Sequence, residues 1–442
     1  YNYKGKYLLE GNIRYDGTSK IAKDNRWDLF PSMSVGWRIS EESFMDQYGW
    51  IDNLKLRGSI GQLGNQETLS DYPYQQLLTN SSYPIGGSLQ TGVSSPALSN
   101  PGLLWEVVTS YNLGLDFSMN NGLFGFELDV YKKEVEGGHA TAQIPASVGK
   151  DAPQENYQNM ENTGFELALH HVNRIGDLKY NMSFMVDRYK NKITKVKDNW
   201  WGYQRWYGRS RVEGHALNEF YMLDWIGIYQ NQSEIDNLPI YEPYRNITQP
   251  GDLIFRDANG DGEITIESET GDRVFIEGFH PKFSYSYTAN FEWKNFDLSM
   301  FWQGVAGKKN VAQWIGYEPF FQGGPVTTKW RDAWDGEGST NSMPALYNNS
   351  VFYGYQPING IMNDYHLANT SYLRLKNLQI GYNLSKSVCN KLGVSKLRVY
   401  ISGDNLITIS DFDFDPERGS SQFTANTYPQ LSTYSIGAKL TF

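Results

Sequence analysis

The stretch KFSYSYTANFEW, from Lys282 to Trp293, narrows what this chain can fold into more than any other. Phe283, Tyr285, Tyr287, Ala289, Phe291 and Trp293 alternate with Ser284, Ser286, Thr288, Asn290 and Glu292. Successive side chains of a strand point to opposite faces, so a period of two held this long predicts a strand with one oily and one polar face. The last residues repeat the pattern, with Tyr434, Ile436, Ala438, Leu440 and Phe442 set against Thr433, Ser435, Gly437, Lys439 and Thr441. Tyr7, Leu9, Ile13 and Tyr15 do the same, as do Met33, Val35 and Trp37, Leu113, Leu115 and Phe117, and the segments around Phe126, Leu167, Phe184 and Val399. About twelve such strands are expected, beginning near residues 4, 31, 53, 109, 123, 163, 177, 282, 296, 369, 396 and 432. Near Asn377 the phase slips from Leu373 and Leu375 to Leu378, Ile380 and Tyr382, which predicts a bulge.

The connections alternate in length. NNG after Met119, about NRIGD after Val172 and KN after Trp293 read as tight hairpins, whereas residues 64–108, 137–162, 191–281 and 306–368 form long spans. One short-turn side and one long-loop side is the pattern of an outer-membrane barrel, with short periplasmic turns and long extracellular loops. A soluble sandwich also alternates, but its second face would need to be apolar. Here the opposite face is Ser, Thr, Asn, Asp, Lys and Arg, and strand ends carry Tyr and Trp suited to an interfacial girdle. The expected fold class is therefore all-β, an antiparallel transmembrane β-barrel in contact with outer-membrane lipid. If Phe442 ends a strand on the periplasmic side, the long loops lie outside the cell. The chain opens in mid-pattern at YNYKGKYLLEG, without a leader peptide, and half of a wide barrel is a more natural expectation than a complete twelve-stranded pore.

Composition sharpens this by exclusion. With 39 basic and 49 acidic side chains the net charge is -10, which argues against a nucleic-acid partner. Aromatic residues make up 15% of the chain, yet no run of about 18 apolar residues offers a transmembrane helix. The single Cys389 excludes an internal disulfide and a cysteine-based metal site. No nucleophile elbow, phosphate loop or paired-histidine metal motif is present, and a surface glycosidase is the weakest of the functional readings.

Three loop stretches carry candidate chemistry. In DANGDGEITIESETGD, Asp257, Asn259 and Asp261 place oxygens at alternate positions and Gly262 permits a sharp turn, as in a calcium loop. The twelfth position, which would hold a bidentate Glu in an EF-hand, is Ser268, and no helical pattern flanks the loop. A static calcium clip and an empty solvated turn both remain open on these residues. In NWWGYQRWYGRSR, Trp200, Trp201, Trp206 and Tyr207 with Arg205 and Arg209 offer flat rings and guanidinium forks to a glycan or a peptide end. The same residues suit packing between loops or against a partner protein. The stretch from Trp314 to Tyr317, with Phe320 and Phe321, poses the same question. On the strands, Arg14, Arg38, Lys55, Arg57, Asp116, Glu127, Asp129, Glu166 and Asp187 read as lining of a polar lumen rather than as catalysts.

The phrases YDGTSKIAKDNRWDLFPSMSVGWRISEESFM, NPGLLWEVVTSYNLGLDF, PGDLIFRDANGDGEI, FDLSMFWQGVAG, SYLRLKNLQIGYNL and LRVYISGDNL together resemble the C-terminal part of the SusC/RagA family of TonB-dependent outer-membrane transporters. The resemblance runs over the whole chain in the family's order. It implies about twelve strands of a 22-stranded barrel, with the N-terminal plug and first strands absent from residues 1–442. It also implies a SusD-like lipoprotein lid, energy delivered by TonB through the missing N-terminal part, and import of oligosaccharides or peptides without any bond being made or broken. A SusC-like barrel acting as a scaffold in a larger outer-membrane complex is the alternative. In the family a D-x-N-x-D-G loop is closed by an Asp-Arg pair. That places Asp272, before Arg273, as the last ligand of one structural Ca2+ held by Asp257, Asn259, Asp261 and the main-chain carbonyl of Glu263, with Glu267 or Glu269 as substitutes for it.

Overall fold

The computed structural model describes residues 1–201, 208–312, 317–347, 362–417, 428 and 430–442. The chain divides into two compact units, one of residues 1–171, 189–199 and 212–217 and the other of residues 172–188, 200–211 and 218–442.

The first unit is built on β1 (Asn2–Tyr3), β2 (Tyr7–Gly17), β3 (Trp27–Arg38), β4 (Ile51–Asn65), β7 (Glu106–Met119), β8 (Phe124–Thr141) and β9 (Gln154–Ile175), hydrogen-bonded in that order. Every pairing is antiparallel. A separate ribbon of β5 (Thr79–Ile85) and β6 (Ser88–Ser94) rises from the connection between β4 and β7. In the second unit β10 (Leu178–Val196) pairs through Asp187 with β15 (Phe283–Trp293), which is followed by β16 (Phe296–Ala306), β19 (Tyr372–Asn383), β20 (Lys396–Ile409) and β21 (Thr433–Thr441), again all antiparallel. Short ribbons occupy its loops: β11 (Phe220–Leu223) with β14 (Arg273–Ile276), β12 (Trp225–Ile228) with β13 (Leu253–Phe255), and β17 (Lys309–Val311) with β18 (Leu367–Asn369).

All twelve anticipated strands are present, and the phase slip is a bulge. β16 pairs Phe301 with Asn377 and Trp302 with Leu375, and β20 skips the same position, so Lys376 is the extra residue. Two strands are longer than the alternation shows. β3 begins at Trp27 because Phe30, an apolar residue on the polar side, is buried against Ile21, Leu69, Leu103 and Trp105 and masks the period. β9 runs 22 residues, far past the roughly 9–11 that cross a bilayer, and its first part is the polar sequence QENYQNMEN. The hairpin after β9 is also tighter than NRIGD suggests, because the strand continues to Ile175 and leaves only Gly176 and Asp177 to turn.

The distribution of apolar surface is that of a chain solvated by lipid on one side. Ile13 is 75% exposed, Leu113 57% and Ile436 86%, each within a row of exposed apolar neighbours that water would not tolerate. Burial concentrates in the long connections instead. In the second unit Leu223, Ile228, Leu253, Phe255, Ile264 and Tyr347 form one cluster, and Phe220, Met222, Val311 and Met362 another. The loops of this unit therefore carry their own small cores.

Candidate functional site

The acidic loop lies between β13 and β14. The two carboxylate oxygens of Asp257 accept the Gly260 and Gly262 N–H groups at 2.6 and 2.8 Å, a closure that Gly262 permits with its φ of 89°. Asn259 Oδ1 accepts the Asp261 N–H at 3.0 Å, and Asp261 Oδ1 accepts the Glu263 N–H at 2.9 Å. Asn259, Asp261 and Glu263 are exposed. Asp272 is fully buried and serves differently. Its Oδ1 accepts the Ala258 N–H at 2.7 Å, and its Oδ2 accepts the Thr265 N–H at 2.7 Å and the Thr265 hydroxyl at 3.3 Å. One carboxylate thus clasps both ends of the loop by hydrogen bonds to its backbone. Among the described residues no three His, Cys, Asp or Glu side chains gather closely enough to hold a metal ion. The side-chain oxygens of Asp257, Asn259, Asp261 and Asp272 are all engaged by donors within the loop, Asp261 Oδ2 by the Asn259 amide at 2.8 Å, so the loop as it stands is closed by its own hydrogen bonds.

The aromatic loop is tied to the same place. The Trp201 ring stands 5.3 Å from Tyr221 and 6.0 Å from Phe275. The Arg273 guanidinium lies 4.5 Å over Tyr221 and donates to the Trp201 carbonyl at 3.2 Å. Arg209 lies 4.6 Å over Phe279, and Trp200 exchanges backbone hydrogen bonds of 2.8 and 2.7 Å with Arg211. Arg205, Trp206 and Tyr207 are outside the described residues, as are Trp314, Ile315 and Gly316. Of the candidates that can be placed, Trp201 and Arg209 pack against β11, β14 and the residues after them. The Asp272 and Arg273 pair is the shared fastener, since the first closes the acidic loop and the second anchors the aromatic one.

On the polar strand faces the structure brings Lys55, Arg57, Asp116 and Asp129 together. Arg57 donates to Asp116 at 2.9 Å and, through both terminal nitrogens, to Asp129 at 2.6 and 2.5 Å. Lys55 stands 3.9 Å from Asp116. Gly114 faces Arg57 across the ladder, and a Cβ there would stand 2.4 Å from the guanidinium carbon, so the glycine is what lets the arginine cross to the next strand. Arg14 and Arg38 pair locally instead, with Asp16 and Glu41. Arg398 repeats the cross-strand device in the second unit: it bonds Asp297 and passes over Gly381.

Two features have no counterpart among the sequence candidates. The first is a cleft of about 950 Å3 lined by Ile226, Leu238, Ile254, Arg256, Asp257 and Asn341, which the acidic loop borders. The second is the segment of residues 410–417, SDFDFDPE, held to β19 by Arg374. Its alternation of Asp and Phe was a readable signal, but it lies beyond the last residues of β20 and does not continue as a strand.

A family model described as TonB dependent receptor-like, beta-barrel, matches residues 1–406. TonB-dependent receptor P26 of Formosa agariphila is 31% identical to the chain, covering 100% of it and 45% of the relative. TonB-dependent receptor SusC of Bacteroides thetaiotaomicron is 28% identical, covering 100% of the chain and 43% of the relative. A solved structure of the RagAB peptide transporter superposes on all of the chain and 46% of its own with a TM-score of 0.81 at 24% identity, a likeness of fold. The chain spans a little under half the length of the relatives it matches.

Proposed function

We propose, from the premise that the chain belongs to the family of TonB-dependent receptor β-barrels, that it forms the C-terminal barrel part of a SusC/RagA-like outer-membrane importer. The observation that carries this reading is the match along the chain's full length to relatives more than twice as long, combined with strands whose apolar face is exposed and whose opposite face is cross-linked by ion pairs. The rest of the protein is assigned the plug, the first strands and the contact with TonB. The long connections, including the acidic loop, are placed outside the cell, where they meet a SusD-like lipoprotein lid. The cargo is an oligosaccharide or a peptide too large for a porin, bound by the loops and lumen and passed on unchanged.

Uptake of a labelled oligosaccharide or peptide pool by cells that carry the full-length protein is the direct test. Uptake is expected to vanish when the gene is deleted and when TonB is inactivated. Uptake that persists without TonB would overturn the reading. Recovery of a barrel that binds its neighbours yet supports no uptake would indicate the scaffold instead.

The acidic loop is assigned one structural calcium ion on Asp257, Asn259, Asp261 and the Glu263 carbonyl, with Asp272 closing the loop behind them. What supports this is the spacing of Asp257, Asn259 and Asp261 at alternate positions with Gly262 in the turn, a set of hard oxygens that suits calcium's loose shell better than magnesium's octahedron. Calcium is expected to slow hydrogen exchange in residues 257–272, and Asp261→Asn is expected to remove the effect. Identical exchange with calcium and with EDTA would leave the loop a metal-free turn.

A further inference from the structure

Residues 410–417 form a strap that leaves β20 and returns to β19. Phe412 and Phe414 pack on Tyr317 at ring distances of 6.1 and 5.4 Å, and Asp413 pairs with Lys329 at 3.6 Å. Asp415 and Glu417 both turn to Arg374, which is only 3% exposed. The guanidinium donates to Thr408 at 2.9 Å, to Asp415 at 2.9 Å and to Glu417. Lys376 Nζ donates to both oxygens of the same Glu417 at 2.7 and 2.8 Å. Arg374 and Lys376 are two apart and project to one side of β19, and the bulge lifts Lys376 out of the ladder toward the strap.

Two cations therefore converge on two carboxylates. Taking a buried cation's partner away is strongly unfavourable, because the charge is left without either water or a counterion. At neutral pH an entering anion would offset the charge that the strap leaves behind. The guanidinium, with Asp415 on one nitrogen and Glu417 on another, presents a fork matched to two neighbouring carboxylates. We propose that Arg374 and Lys376 form an anion-binding nest for a ligand carrying adjacent carboxylates, and that the strap fills the nest with Asp415 and Glu417 until such a ligand competes.

The test is a binding measurement on the purified full-length protein and is separate from uptake. Trigalacturonate and tri-L-glutamate serve as acidic probes of the saccharide and peptide kinds, with maltotriose and tri-L-glutamine as neutral controls. Glu417→Gln weakens the strap's hold, so at least one acidic probe is expected to bind that variant about tenfold more tightly than it binds the unaltered protein. Lys376→Gln added to Glu417→Gln is expected to reverse the gain, and hydrogen exchange in residues 410–417 is expected to rise when the acidic probe binds. Which probe binds identifies the source of the carboxylates. Equal affinity for Glu417→Gln and the unaltered protein, or equal binding of acidic and neutral probes, would overturn the proposal. Lys376 is a bulge residue outside the ladder, so its variant leaves the strand pairing in place even where a change at Arg374 disturbs folding.

Discussion

Single residues here do their work by being satisfied rather than by being exposed. Asp272 has one of the strongest acidic motifs in the sequence behind it, yet it is buried and spends its oxygens on Ala258 and Thr265. Trp201 and Arg209, which look suited to sugar stacking, are engaged with Tyr221, Phe275 and Phe279. Asp415 shows the electrostatic side of the same rule. Burial pushes its carboxyl up, but the Gln430 N–H, the Arg374 guanidinium and the Glu417 N–H outweigh that and hold it below the usual carboxylate range. A carboxyl whose folded value is depressed contributes stability that is present above its unfolded value, about 3.9, and is lost as pH falls through the lower folded value. The strap is therefore expected to stay closed at pH 5 and to loosen only in stronger acid. Hydrogen exchange of residues 410–417, corrected for its intrinsic pH dependence, reads this directly, and opening between pH 6 and 5 would contradict it.

At the scale of the element, the strands divide labour between their faces. The outward row is written for lipid, and the inward row is held by ion pairs that glycines make room for, as Gly114 does for Arg57 and Gly381 for Arg398. The two faces are expected to respond oppositely to one added charge. Ile436→Lys on β21 places an ammonium on the exposed apolar row and is expected to cost about 2–4 kcal/mol if it falls near the bilayer midplane. Ser435→Lys, one residue earlier and on the other face, is expected to cost far less. Unfolding by denaturant in lipid vesicles compares the two, and equal destabilisation would remove the lipid-facing assignment. The bulge at Lys376 is the element-level feature whose existence alternation revealed and whose purpose it did not. The slip in phase between Leu375 and Leu378 fixes an extra residue, but nothing in the local sequence says that it points at a glutamate 41 positions away.

For the whole molecule, the strands were legible in the chain's own pattern, and the family in the resemblance of phrases such as SYLRLKNLQIGYNL. Period-two faces, alternating connection lengths and a polar second face require antiparallel strands in lipid, because hydrogen-bonding and side-chain direction are local properties of an extended backbone. Those features marked the twelve principal strands and the bulge, and the sheet pairs them in chain order. The tertiary structure decided what the long connections do. Ribbons such as β11 with β14 pair residues 50 to 56 positions apart, and the small cores around Leu223 and Met222 are assembled from loop segments that no local period marks. It also decided which polar residues meet: Asp129 reaches Arg57, Glu417 reaches Arg374, and Asp272 closes on Ala258 and Thr265. A sequence states which side chain faces which way along a strand. Which charge will neutralise which across a loop depends on long-range closure, and only the folded chain determines that.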